Sequence, residues 1–127
     1  MNFLQLGAIF GFLGVGLGAF GAHGLRDRLS PQMLAVFEIG VRYQMYHAFA
    51  LLFLGLAMRM DLAPRTLAKA GWCFVAGIVI FSGSLYALAL TGTTTFGAIT
   101  PIGGLAFLAG WALLIIASLR ASRQRLL

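Results

Sequence analysis

The chain has 127 residues, of which 61% are hydrophobic and only 9% charged, against roughly a quarter charged in a soluble domain, so a soluble fold of this size could not hide its apolar surface. Nine basic and three acidic side chains give a net charge of +6. They lie between and after apolar blocks instead of on one polar face, which excludes a nucleic-acid footprint. The lone Cys73 sits inside an apolar block and reads as a packing residue, with no disulfide partner and no metal-ligand spacing around it.

Four apolar stretches are each long enough to cross a bilayer of roughly 30 Å hydrocarbon thickness. In lipid every backbone amide must be satisfied within its own segment, so these stretches predict helices and an all-α, four-span membrane bundle forming a single domain. The first span covers about 3–22 and closes at His23 and Gly24. No Lys or Arg precedes it, and it exceeds the roughly 7–15 residues of a signal core, so it is expected to be retained. Gly7, Gly11, Gly14, Gly18 and Gly21 recur at alternating four- and three-residue steps. Such a stripe lets a neighbouring backbone approach closely. A tight bundle explains it; a dimer interface at Gly7 and Gly11 is the sharper alternative.

Ser30-Pro31 opens the second helix as N-cap and first helical position. Nothing breaks that helix before Met60, so about 31–40 forms an interfacial extension, with a bend at Gly40, and about 41–60 forms the span. Gly40, Tyr43, His47, Ala50 and Leu54 share a face expected to meet the glycine stripe. Arg42 is expected near the outer interface, snorkelling and pairing with Glu38 one turn earlier. His47 lies deeper and needs a partner, for which Tyr43, Ser82 and Ser84 are candidates.

Asp61 to Arg65 forms a turn around Pro64. The third span covers about 67–90, with Ala70, Gly77 and Ser84 on one seam. The fourth, about 101–119, is expected to start at a Thr100-Pro101 cap, and Gly103, Ala106, Gly110, Leu113 and Ala117 mark its seam. Arg59, Arg65, Lys69, Arg120, Arg123 and Arg125 fall on one side and only Arg26, Arg28 and Arg42 on the other, which predicts that both termini are cytoplasmic.

The polar inventory gathers on the outer side: His23, Arg42, Tyr43, Gln44, His47, Ser82, Ser84, Tyr86 and Thr100 are the candidate pocket for a ligand or partner. There is no nucleophile elbow, phosphate loop or carboxylate pair, and two histidines on separate helices do not make a metal site. No catalytic residue, cofactor or metal is assigned.

Gly18-Ala19-Phe20-Gly21-Ala22-His23-Gly24, Tyr43-Gln44 with His47, Phe81-Ser82-Gly83-Ser84-Leu85-Tyr86, and Thr100-Pro101-Ile102-Gly103-Gly104 with Gly110-Trp111 follow in order over nearly the whole chain. In these motifs the sequence resembles the domain-of-unknown-function 423 family of small bacterial inner-membrane proteins, the YgdD and transmembrane protein 256-like group. The resemblance implies a multi-pass protein of the bacterial inner membrane and assigns no activity. The leading expectation is a non-enzymatic accessory bundle in the lipid bilayer. It would bind a lipid or a partner helix at the outer pocket, with a homo-oligomer or a partner membrane protein as its company in the bilayer, and no nucleic acid. A small transporter or channel subunit is the alternative, and an enzyme acting on a lipid or quinone headgroup through His23 or His47 is the weaker one.

Overall fold

The computed structural model describes residues 1–127 as helices joined by short turns. Helix α1 covers Phe3–His23 and α2 Pro31–Arg59. Helix α3, Pro64–Gly77, runs through a π-helical turn at Ile78–Ser82 into α4, Gly83–Thr91, and α5 covers Thr95–Arg125. Since α3, the π turn and α4 follow without interruption, the chain forms four rods. Successive rods are antiparallel: Gly7 lies beside Leu52 and Gly21 beside Phe37, while Gly77 meets Phe107 and Gly103 meets Phe81. Both termini therefore emerge at the same end.

Three rods, Phe3–His23, Pro64–Thr91 and Thr95–Arg125, are long and apolar enough to cross a membrane. The apolar windows of α1 and α5 are only 17% and 22% buried within the molecule. Rods so apolar and so uncovered need a hydrocarbon solvent. Helix α2 is less apolar because Glu38, Arg42, Gln44 and His47 interrupt it.

Local chemistry sets the helix ends. Asn2 and Gln5 form a reciprocal capping box at the start of α1. The Ser30 hydroxyl accepts from the Met33 amide at 3.2 Å, with Pro31 in the first turn, as the sequence predicts. Asp61 and Ala63 turn the chain with left-handed backbones ahead of Pro64, and Gly92 closes α4 at φ +70°. Gly24, by contrast, keeps a right-handed backbone; its missing Cβ leaves room for the Phe20 ring.

Helix α5 corrects the expected fourth span. It begins at Thr95, so Thr100 is not a cap, Pro101 lies inside the helix, and the connection shrinks to Gly92–Thr94. Proline removes one backbone donor, a loss that neighbouring helices and hydroxyls offset in membrane helices. Beyond Leu119 the helix continues to Arg125, and Arg120 donates to the Thr66 hydroxyl at 2.9 Å, tying the tail to the start of α3.

Helix α2 packs between α1 and the third rod, but the glycine stripe of α1 does not meet the Tyr43–His47 face. It meets Phe37, Val41, Met45, Ala48 and Leu52. The reason is steric: a Cβ on Gly7 would stand 2.9 Å from the Ala48 carbonyl and the Leu52 amide, a backbone approach that bulky Tyr43 and His47 would block. Gly11 has open space around it and takes no part. Nor does Gly40 interrupt α2; it makes room for the Tyr86 ring.

Elsewhere the rule is a phenylalanine seated on a glycine of the neighbouring rod. Phe37 sits on Gly21, Phe3 on Gly71, Phe107 on Gly77 and Phe74 on Gly110. Gly103 meets the backbone of Phe81 instead. The main apolar core, including Phe3, Leu51, Leu54, Leu67, Phe74, Phe107 and Ala117, fills the half of the bundle that carries the termini. A small cluster of Leu25, Phe37 and Ala89 closes the other end.

Candidate functional site

The candidate polar residues divide into separate interhelical contacts, most of them mid-bundle or nearer the end without the termini. Gln44 joins three rods. Its Nε2 donates to the Phe10 carbonyl at 2.9 Å, and its Oε1 accepts from the Tyr86 hydroxyl at 2.7 Å. Gly14, one turn after Phe10, makes this reach feasible, because a Cβ there would crowd Gln44 Nε2 and collide with Met45. Ser82, fully buried in the π turn, donates to the Gly40 carbonyl at 2.7 Å. The Ser84 and Thr100 hydroxyls stand 2.6 Å apart and tie α4 to α5.

His47 forms the second focus. Its Nδ1 lies 2.7 Å from the Tyr43 carbonyl, which can only accept, while Trp111 Nε1, which can only donate, lies 3.0 Å from its Nε2. The two contacts fix a neutral imidazole with the proton on Nδ1. The ring stacks on Phe107 at a centroid distance of 3.6 Å and an interplanar angle of 9°, with Phe74 at 5.4 Å. Tyr43 packs on Phe81 at 4.8 Å. The Ser82 and Ser84 hydroxyls are engaged elsewhere, so Trp111 takes the partner role expected of them. Every fully buried side-chain polar atom has a partner.

A cleft of about 570 Å³ opens beside this focus, between α2 and the rods of α4 and α5, lined by Tyr43, His47, Phe81, Gly104, Phe107 and Trp111 among others. Tyr43 is 38% exposed and Trp111 43%, so both rings border the cleft and the apolar surroundings. His23 and Arg42 are exposed, and Glu38 is exposed beside Arg42 on α2; neither His23 nor Arg42 lines this cleft. The structure thus brings together Tyr43, Gln44, His47, Ser82, Ser84, Tyr86 and Thr100 as a ladder of contacts rather than one pocket. Sequence reasoning missed Trp111 and Phe107 as partners of His47. An indole N–H in the middle of an apolar span was the available signal, since it needs an acceptor.

A bundle of apolar rods bound together by glycine contacts and a ladder of interhelical hydrogen bonds is a helical membrane protein. Residues 17–104 match the family described as "Protein of unknown function (DUF423)", and the chain belongs to it. The UPF0382 membrane protein of Staphylococcus epidermidis is 49% identical over 118 residues, covering 93% of this chain and 95% of that protein. UPF0382 membrane protein YwdK of Bacillus subtilis is 45% identical over 118 residues, 93% and 96% of the two chains. No solved structure matches.

Proposed function

We propose that this protein is a non-enzymatic, four-span bundle of the bacterial inner membrane that holds a membrane-dissolved amphiphile, a lipid or a molecule with a flat head, in the cleft beside His47. One observation carries the reading: a cleft of about 570 Å³, walled by aromatic rings and opening sideways from the bundle beside the polar ladder. Such a wall recognises by stacking, and Tyr43 is the side chain that offers a hydroxyl at its edge. On this reading α2 also crosses the membrane, because its polar groups turn into the bundle at Gln44 and His47.

The engagement of both His47 nitrogens favours this reading over a proton-conducting subunit, since moving a proton through the ring would break the Trp111 or Tyr43 contact. The test is native mass spectrometry of protein extracted in native-lipid discs. Wild type should retain an amphiphile, and Gly104→Trp, which fills the cleft, should release it with the fold intact by circular dichroism. Equal retention by the two proteins would refute the cleft as the site.

A further inference from the structure

The first turn of α1 is wedged into the junction of α2 and α3. A Cβ on Gly55 would stand 2.7 Å from the Leu4 amide nitrogen, while the Phe3 ring sits on Gly71 and meets Trp72 edge-on at a centroid distance of 5.5 Å. These contacts fix the spacing of the three rods. They leave a cavity of about 490 Å³ at the end of the bundle that carries the termini, with Asn2, Leu4, Gly55, Arg59, Ala68 and Trp72 among its walls.

The polar side chains of this cavity offer donors. The Gln5 amide occupies the Asn2 Oδ1, which leaves Nδ2, and the Arg59 guanidinium and Trp72 indole can only donate. No carboxylate or hydroxyl lines the wall. Arg59 stands one turn beyond Gly55, about 6 Å nearer the end of the bundle at 1.5 Å per residue, and Trp72 lies at the level of Phe3. Arg65 and Lys69 precede Trp72 by seven and three residues on the same stripe of α3. Asp61 is the one acidic side chain at this end, against Arg59, Arg65, Lys69, Arg120, Arg123 and Arg125.

We infer that this cavity binds the phosphodiester headgroup of an anionic phospholipid from the leaflet at this end. A wall that offers donors, one of them a guanidinium, selects an anion with several acceptor oxygens. A zwitterionic headgroup would bring a cation of its own towards Arg59 and Lys69. Trp72, 58% exposed, lies on the bilayer side of these cations, where an interfacial indole sits beside the glycerol level of a lipid. Basic pockets between helices at a membrane surface take anionic headgroups in this way. A soluble phosphate would meet the same donors but would leave the apolar floor at Phe3, Leu4 and Ala68 uncovered, which favours the lipid as the source of the anion.

The inference is independent of the cleft beside His47, and its test keeps the two apart. Full-length protein, stripped of lipid in detergent, is supplied with phosphatidylglycerol or with phosphatidylcholine of the same acyl chains and read by native mass spectrometry. Phosphatidylglycerol should be retained about tenfold more tightly than phosphatidylcholine, and inorganic phosphate should not displace it. Arg59→Gln, at an exposed side chain that the fold does not need, should weaken retention about tenfold, the loss expected for one charge-assisted hydrogen bond. Ala68→Trp fills the cavity, keeps every charge and should abolish retention, with folding checked by circular dichroism. Arg125→Gln, which removes the same charge from the tail, and Gly104→Trp, in the other cleft, should leave retention unchanged. Equal retention of the two lipids, displacement by inorganic phosphate, a loss in Arg125→Gln or Gly104→Trp as large as in Arg59→Gln, or full retention by folded Ala68→Trp would each overturn the inference.

Discussion

At the scale of single residues, the decisive variable is what a Cβ would touch, and neighbouring glycines differ sharply in it. A methyl group at Gly103 meets the Phe81 backbone, which cannot rotate away, whereas at Gly104 the nearest atom is a Phe81 ring carbon at 3.9 Å. Gly103→Ala should therefore destabilise the bundle by about 1–3 kcal/mol, the usual range for overpacking, and Gly104→Ala should be near neutral. Unfolding in mixed detergent and dodecyl sulfate micelles, followed by tryptophan fluorescence, separates the two. The His47–Trp111 contact gives a polar counterpart. Trp111→Phe leaves Nε2 without its donor, and interhelical hydrogen bonds in membranes are worth about 0.6 kcal/mol on average and about 1.7 at most. Loss of roughly 1–2 kcal/mol is expected from Trp111→Phe because a buried acceptor is also orphaned. His47→Phe should add less in that background than it costs alone, as a double-mutant cycle read from the remaining Trp72 would show.

At the scale of elements, the π turn at Ile78–Ser82 sets how one long rod serves two neighbours. Before it Ala70, Phe74 and Gly77 are buried; Ser82 at its end and Tyr86 beyond it reach α2. A π turn accommodates one extra residue in an α-helix without rotating its flanks. Removing the exposed Val79 should therefore convert the turn to α-helix while keeping both sets of contacts, with a modest change in stability. Inserting an alanine after Val79 should rotate α4 by about 100° against α3 and release Ser82 from Gly40, so the insertion should lower stability by at least as much as Ser82→Ala in the same micelle unfolding assay. Pro101 shows the limit of sequence reading at this scale. As a first-turn signal it points to a helix start at Thr100, yet α5 begins five residues earlier because packing against α4 supports the preceding turn.

At the scale of the whole molecule, the antiparallel order puts both termini at the end that also holds Arg59, Arg65, Lys69 and Arg120. By the positive-inside rule this end should be cytoplasmic. Cysteines placed at Asp27 and Thr93 in the Cys73→Ala background should react with an impermeant maleimide in intact cells, and one placed at Leu127 should react only after permeabilisation. Labelling of Leu127→Cys in intact cells would reverse the orientation.

Composition and spacing alone set the solvent and the helices. A chain with so few charges must be buried in lipid, and lipid forces each apolar stretch to satisfy its own backbone, so the all-α class and the rods follow from composition and spacing alone. Gly11 apart, the glycine stripe was equally legible as a surface of close approach. Which surface it approaches was not, because α2 presents several faces of similar period, and the choice depends on bulk: the flatter Val41–Ala48 face fits the stripe, and the Tyr43–His47 face is left for α3, the π turn and α5. The partners of Gln44 and His47 lie 34 and 64 residues away in sequence, and only the meeting of rods brings the Phe10 carbonyl and the Trp111 indole to them. Periodicity reports which side of a helix is special; tertiary packing decides what that side is special for.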